Sequence, residues 1–191
     1  MTSVYFVRHA QPDFIWSDDV TRPLTTEGEK DSKKVAETLK SIHLDFAISS
    51  PYLRSMKTIE KTAEMHGLTI HKDMRFRERE KGDNGNNMEM FRRRWADFAY
   101  HEDGGESLMS VQERNISALS DVLDAHHDKN IMIGTHGTAL STILNYFDKS
   151  FDCDDFLRII DFMPYIIRLD FEGRECVGKE EILIIEKIFK Q

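Results

Sequence analysis

Short apolar runs rich in β-branched residues alternate along this chain with longer stretches of helical periodicity. Val4-Tyr5-Phe6-Val7 has the composition of a buried strand. Thr25 or Thr26 then opens a helix, with Glu27 and Glu29 in its first turn and Val35, Leu39 and Ile42 on one face. Asp45 to Ser50 reads as a second strand, and Pro51 as the first position of a helix that carries Arg54 one turn in and ends near Gly67. Leu68-Thr69-Ile70 is a short third strand. Between Lys72 and Gly105 the pattern breaks into a charge-rich run, a loop from Gly82 to Asn87 and an amphipathic helix from Met88 to Tyr100. We read about residues 73–103 as a small lid inserted over the sheet edge.

Regular structure resumes with Ser107 as the cap of a long helix whose buried face holds Val111, Leu119, Val122 and Leu123. Asn130 to Thr135 is the fourth strand, and Gly137 begins the next helix. An acidic helix near Asp152 to Leu157 precedes a hairpin-like pair, Tyr165 to Phe171 turning at Glu172-Gly173. The apolar tail Glu181 to Phe189 fits helix or strand equally well. Strands alternating with helices predict an α/β fold: one domain, a three-layer sandwich with a mainly parallel central sheet.

The bulk numbers fit this picture. A chain of 191 residues with 40% hydrophobic content builds one core. A net charge of −8 argues against general affinity for nucleic acid or an anionic membrane, so any phosphate binding has to be local. Cys153 and Cys176 lack metal-ligand spacing and are read as reduced thiols. With no signal-peptide or membrane-spanning pattern, a soluble cytoplasmic protein is expected.

Three strands deliver polar groups to one edge: Arg8 and His9 after the first, Ser50 and Arg54 after the second, Thr135 and His136 after the fourth. The crevice beyond the carboxyl ends of strands is where open α/β sheets bind ligands. Two guanidiniums and an imidazolium surround a phosphoryl group well, and helix starts after Ser50 and His136 would add backbone N–H groups. A second imidazole can attack phosphorus in line. Neither metal nor cofactor is required.

Arg8-His9-Ala10 resembles the Arg-His-Gly signature of the histidine phosphatase (phosphoglycerate mutase-like) superfamily. Leu24-Thr25 with Gly28, Ser50-Pro51 with Arg54, Gly104-Gly105-Glu106-Ser107 and Thr135-His136-Gly137 follow in the same order. The resemblance implies that His9 is the nucleophile and that Arg8, Arg54 and His136, with Gly137 behind them, form the phosphate pocket. It also implies an acid on the loop after the third strand: Glu78, with Glu80 as second choice. Two departures stand out. Ala10 replaces the usual Gly, and Ile15 stands where many members carry a phosphate-binding Asn, which weakens the pocket or shifts that task to Gln11. Arg22-Pro23-Leu24-Thr25 resembles the compact branch that includes protein phosphohistidine phosphatases.

Bland readings hold elsewhere. Arg92, Arg93 and Arg94 are read as the polar face of a helix rather than a substrate grip, and Arg114 as a structural ion-pair partner. Glu106 lines the pocket or caps the helix with Ser107. The remaining histidines are read as surface residues. The expected function is hydrolysis of a phosphate monoester, on a small molecule or a phosphoprotein, through a phosphohistidine on His9. Phosphoglycerate mutase-type transfer and a non-catalytic phosphate-binding module are the alternatives. The expected assembly is monomer or homodimer, with the tail as one candidate contact.

Overall fold

In the computed structural model, which describes residues 1–83 and 85–187, the elements run in order. They are β1 (Thr2–Arg8), α1 (Thr26–Leu39), β2 (Phe46–Ser49), α2 (Leu53–Met65), β3 (Ile70–Lys72), a 3-10 turn (Met74–Phe76) and α3 (Met88–Ala96). Then follow α4 (Leu108–Ala125), β4 (Asn130–Thr135), α5 (Gly137–Phe147), α6 (Cys153–Ile159), β5 (Phe162–Glu172) and β6 (Glu175–Glu186). The strands form a single sheet in the order β3-β2-β4-β1-β5-β6. The first four in that order are parallel, and β5 and β6 add an antiparallel hairpin beside β1.

The two-residue period of the central strands divides the core. Val4, Phe6, Ile48, Ile131 and Ile133 face one side, packing with Leu119 and Leu123 of α4, Leu140 and Ile143 of α5, and Phe156 of α6. Tyr5, Val7, Ala47 and Met132 face the other, against Val35 and Leu39 of α1 and Ile59 and Ala63 of α2. The result is the expected three-layer α/β arrangement. Thr25 caps α1 by accepting from the Gly28 N–H, and Ser107 caps α4 by accepting from the Ser110 N–H.

Four boundaries differ from the sequence reading. Pro51 is not the first helical residue: Ser50 Oγ accepts the Tyr52 N–H, a local turn that delays α2 until Leu53. The third strand starts at Ile70, because Leu68 still donates to Ala63 O as the chain leaves α2 through Gly67 at φ 64°. α3 stops at Ala96, where the Asp97 carboxylate accepts from the Ala99 N–H. The ambiguous tail is a strand through Glu186, with Ile182 and Leu183 on the core; Ile188 and Phe189 lie outside the described residues. Among the described residues, no helix is long and apolar enough to cross a membrane.

One close approach fixes the loop that follows β1. A Cβ at Gly28 would stand 2.2 Å from Gln11 O, a backbone atom with no flexible end to yield. The Thr25 N–H donates to that same carbonyl, so α1 starts directly against the residues after His9. Gly28→Ala is therefore expected to cost about 1–3 kcal/mol by forcing backbone apart, measurable as a lower urea midpoint at unchanged slope.

Candidate active site

Strand register brings the chemistry together. β1 pairs with β4 so that Arg8 faces Thr135, and β2 pairs with β4 so that Ser49 faces Gly134. The next residues therefore meet: the His9 N–H donates to Thr135 O at 3.1 Å, and the Ser50 N–H to Gly134 O at 3.0 Å. The rings of His9 and His136 stand 5.2 Å apart, edge to face. His9 borders a cavity of about 550 Å³ that Arg8, Arg54, Tyr52, Glu78 and Gly137 also line. Ala10 is buried and donates its N–H to Thr58 Oγ1. Its φ is not positive, so alanine fits where the family pattern has glycine.

His9 Nδ1 lies 2.8 Å from Ala10 O. A carbonyl can only accept, so Nδ1 carries the proton and Nε2 holds the lone pair. Burial, then the charges of Arg54 and Arg8, hold the His9 pKa well below its ordinary value, leaving the ring neutral. His136 is likewise pushed well down, by burial and then by Arg54. It is thus a neutral imidazole rather than the imidazolium expected from sequence. Its Nε2 meets Ser50 Oγ at 2.8 Å, and its buried Nδ1 has no hydrogen-bond partner.

The two arginines are held differently. Arg8 Nη1 donates to the carbonyls of Ile159, Ile160 and Phe162 at the end of α6, while its buried Nε has no hydrogen-bond partner. Burial lowers its pKa to about 10, still cationic near neutrality. A Cβ at Gly137 would stand 3.1 Å from its Cζ, so glycine there makes room for the guanidinium. Arg54 donates to Asp19 O at 2.6 Å and pairs with the Asp19 carboxylate at 3.2 Å. The same carboxylate binds Arg22 at 2.7 Å, and both Asp19 and Arg22 line the cavity.

Glu78 reaches across the crevice to the start of α5. Its Oε1 accepts from the Arg79 and Ala139 N–H groups and its Oε2 from Thr138 N–H. The α5 donors expected to meet a ligand anion are thus directed at Glu78, which serves as the missing cap of that helix. The Leu53 N–H of α2 is likewise taken, by Val20 O. Glu80 also lines the cavity but is exposed, with its side chain 3.7 Å from Arg77.

The charged run around Glu78 is folded inward. Glu102, fully buried, pairs with both Arg79 and Arg94. Glu106 binds Arg77 and Arg114, each at 2.8 Å. Burial opposes the charge on each glutamate, but the arginine hydrogen bonds outweigh it and hold both pKa values at about 2. Arg114 is therefore a structural partner, as read from sequence. Arg94 is buried with Glu102, against the expectation of a polar helix face, whereas Arg92 pairs with Asp154 on the surface and Arg93 lies over Tyr100.

Of the candidate residues, Arg8, His9, Arg54, Glu78 and Gly137 line the cavity, with His136 packed directly behind. Gln11 is not brought there: its Oε1 accepts from Thr25 Oγ1. Ile15 is 95% exposed and also outside the lining. Sequence reasoning missed Arg22 as a cavity residue. The signal was the loop closure itself, since Pro12 bridges Leu24 and the chain must return beside β1 before α1 begins. Arg79, Lys81 and the apolar residues Phe91, Phe156, Ile160 and Met163 had no spacing signature. Among the described residues, no group of three or more His, Cys, Asp or Glu is placed to hold a metal ion.

Comparison with known proteins shows the family and the fold. The family model for the histidine phosphatase superfamily (branch 1) matches residues 4–179. The chain is 30% identical over 149 residues to the uncharacterized phosphatase PhoE of Bacillus subtilis, covering 75% of this chain and 76% of that protein. It is 26% identical over 168 residues to the probable phosphoglycerate mutase GpmB of Salmonella typhi, covering 76% and 74%. Phosphoserine phosphatase from Entamoeba histolytica, solved with 3-phosphoglyceric acid, shares the fold at TM-score 0.77 and 20% identity, covering 98% of each chain. Mycobacterial glucosyl-3-phosphoglycerate phosphatase does so at 0.75 and 17%, covering 97% of this chain and 99% of that one. This chain belongs to the histidine phosphatase superfamily.

Proposed function

We propose that this protein is a phosphatase that hydrolyses a phosphate monoester through a phosphohistidine on His9. The observation that carries the reading is the His9 ring: neutral, with Nδ1–H fixed on Ala10 O, and thereby presenting an Nε2 lone pair beside two guanidiniums. Arg8 and Arg54 offset the phosphoryl charge, with Arg54 exchanging its hold on Asp19 for the ligand. With Ser50 Oγ donating to Nε2, His136 contributes the N–H of Nδ1, the buried ring nitrogen that has no partner of its own.

In the first step the Nε2–P bond forms and the ester P–O bond breaks, its electron pair leaving with the oxygen. That oxygen takes a proton from Glu78. Oε1 already accepts two N–H groups, whereas Oε2 accepts one, so the transferable proton sits on the free lone pair of Oε2. In the second step Glu78 takes a proton from water, the oxygen attacks phosphorus, and the N–P bond breaks to release phosphate. Hydrolysis is preferred over mutase transfer because the lid is short; the likeness to the probable phosphoglycerate mutase GpmB at 26% identity keeps transfer as the second reading.

Acid-labile, base-stable label from a mass-tagged phosphate donor is expected on the peptide holding His9. His9→Ala abolishes it and lowers kcat on an aryl phosphate by about three orders of magnitude or more. Phosphate binding with no label and no turnover in the wild type would overturn the reading.

The buried neutral histidines also set a pH dependence of stability. The native pKa values of His9 and His136 lie below the unfolded value, so the unfolded chain binds more protons once pH falls below about 6.5. Stability is full above that pH and is lost below it, by up to ~1.4 kcal/mol per pH unit for each histidine. A urea midpoint that falls between pH 6.5 and 5, with a shallower fall in His9→Asn, is the expected result.

A further inference from the structure

The cavity is far larger than a phosphoryl group needs, and its walls are divided by chemistry. Its charged lining consists of Arg8, Arg22, Arg54, Arg79 and Lys81 together with Asp19, Glu78 and Glu80. With Glu78 carrying the proton for the leaving oxygen, five cations meet two carboxylates, an excess of three positive charges in a chain whose net charge is −8. A phosphate-ester dianion takes two of these charges, and the third cation, Arg79, is held by the buried Glu102, so no free cation is left for a second anionic group. Arg79, buried in the lid, shares the Glu102 carboxylate with Arg94.

One part of the remaining lining is apolar. Phe91 of α3 and Phe156 of α6 meet edge to face at 5.2 Å, and Ile160 and Met163 continue the surface toward β5. This wall is fixed relative to the phosphate end, because the Ile159 and Ile160 carbonyls accept from Arg8 Nη1. A leaving group attached to phosphorus beside Arg8 therefore starts out next to Ile160.

Building on the phosphatase reading, we infer that the natural substrates carry an uncharged, apolar alkyl or aryl leaving group seated against Phe91, Phe156, Ile160 and Met163, rather than a carboxylate-bearing one. The test is a calorimetric series of n-alkylphosphonates from ethyl to hexyl, whose C–P bond is not hydrolysed, together with 3-phosphonopropionate as the acid-bearing match to the propyl and butyl members. The Kd is expected to fall by up to about fourfold per methylene, the factor for burying one such group, and 3-phosphonopropionate is expected to bind at least tenfold more weakly than butylphosphonate. Ile160→Asn, at a half-buried position, should flatten the chain-length series, as should Phe91→Ala.

A flat series in the wild type, equal or tighter binding of 3-phosphonopropionate, or a slope untouched in both variants would overturn the inference. Turnover of the matching alkyl phosphates is read separately. Tightening affinity without hydrolysis would sink the enzyme reading and leave the pocket assignment standing.

Discussion

Three parallel strands that stop in register are the constraint on which the site depends. β1, β2 and β4 are held by continuous ladders, and the first residue past each ladder is His9, Ser50 or His136. A one-residue slip would turn every core side chain of a strand to the opposite face, so the division of the core between two helix layers locks the register. The spacing of the two imidazoles thus follows from Val4 and Phe6 packing on one face while Tyr5 and Val7 pack on the other.

The parts of the molecule legible in the sequence are those governed by short-range pattern. The strand ending in Arg8-His9, the cap at Thr25, the cap at Ser107 and the hairpin turning near Gly173 each follow from a local rule, and the structure has all four. The misread boundaries are equally local: a serine side chain competing for a backbone N–H at Tyr52, and an aspartate doing the same at Ala99. The legible part of the site was the set of residues lying one step beyond a strand.

What stayed hidden was set by pairing over long sequence distances. The run Arg75 to Lys81 has the composition of a solvated stretch, yet Arg79 is buried because Glu102, 23 residues on, supplies its counter-charge. Composition alone makes Glu78 one more charge in that run, and only the family resemblance singles it out. Its position follows from a helix 60 residues later that lacks a side-chain cap of its own. The apolar wall is assembled from α3, α6 and the start of β5, so no single segment carries its pattern.

Arg8 links these two levels. Its guanidinium closes the carbonyl end of α6, where the negative end of the helix dipole lies, and the same group faces the cavity. Any ligand that draws on the Arg8 charge also draws on the anchor of the segment that shapes the far wall. In the proposed phosphatase, affinity at the phosphate end and discrimination at the leaving-group end are consequently mechanically coupled. Neither can be retuned through Arg8 without moving the other, and variation in selectivity is left to positions such as Phe91 and Met163 that touch the cavity without holding the frame.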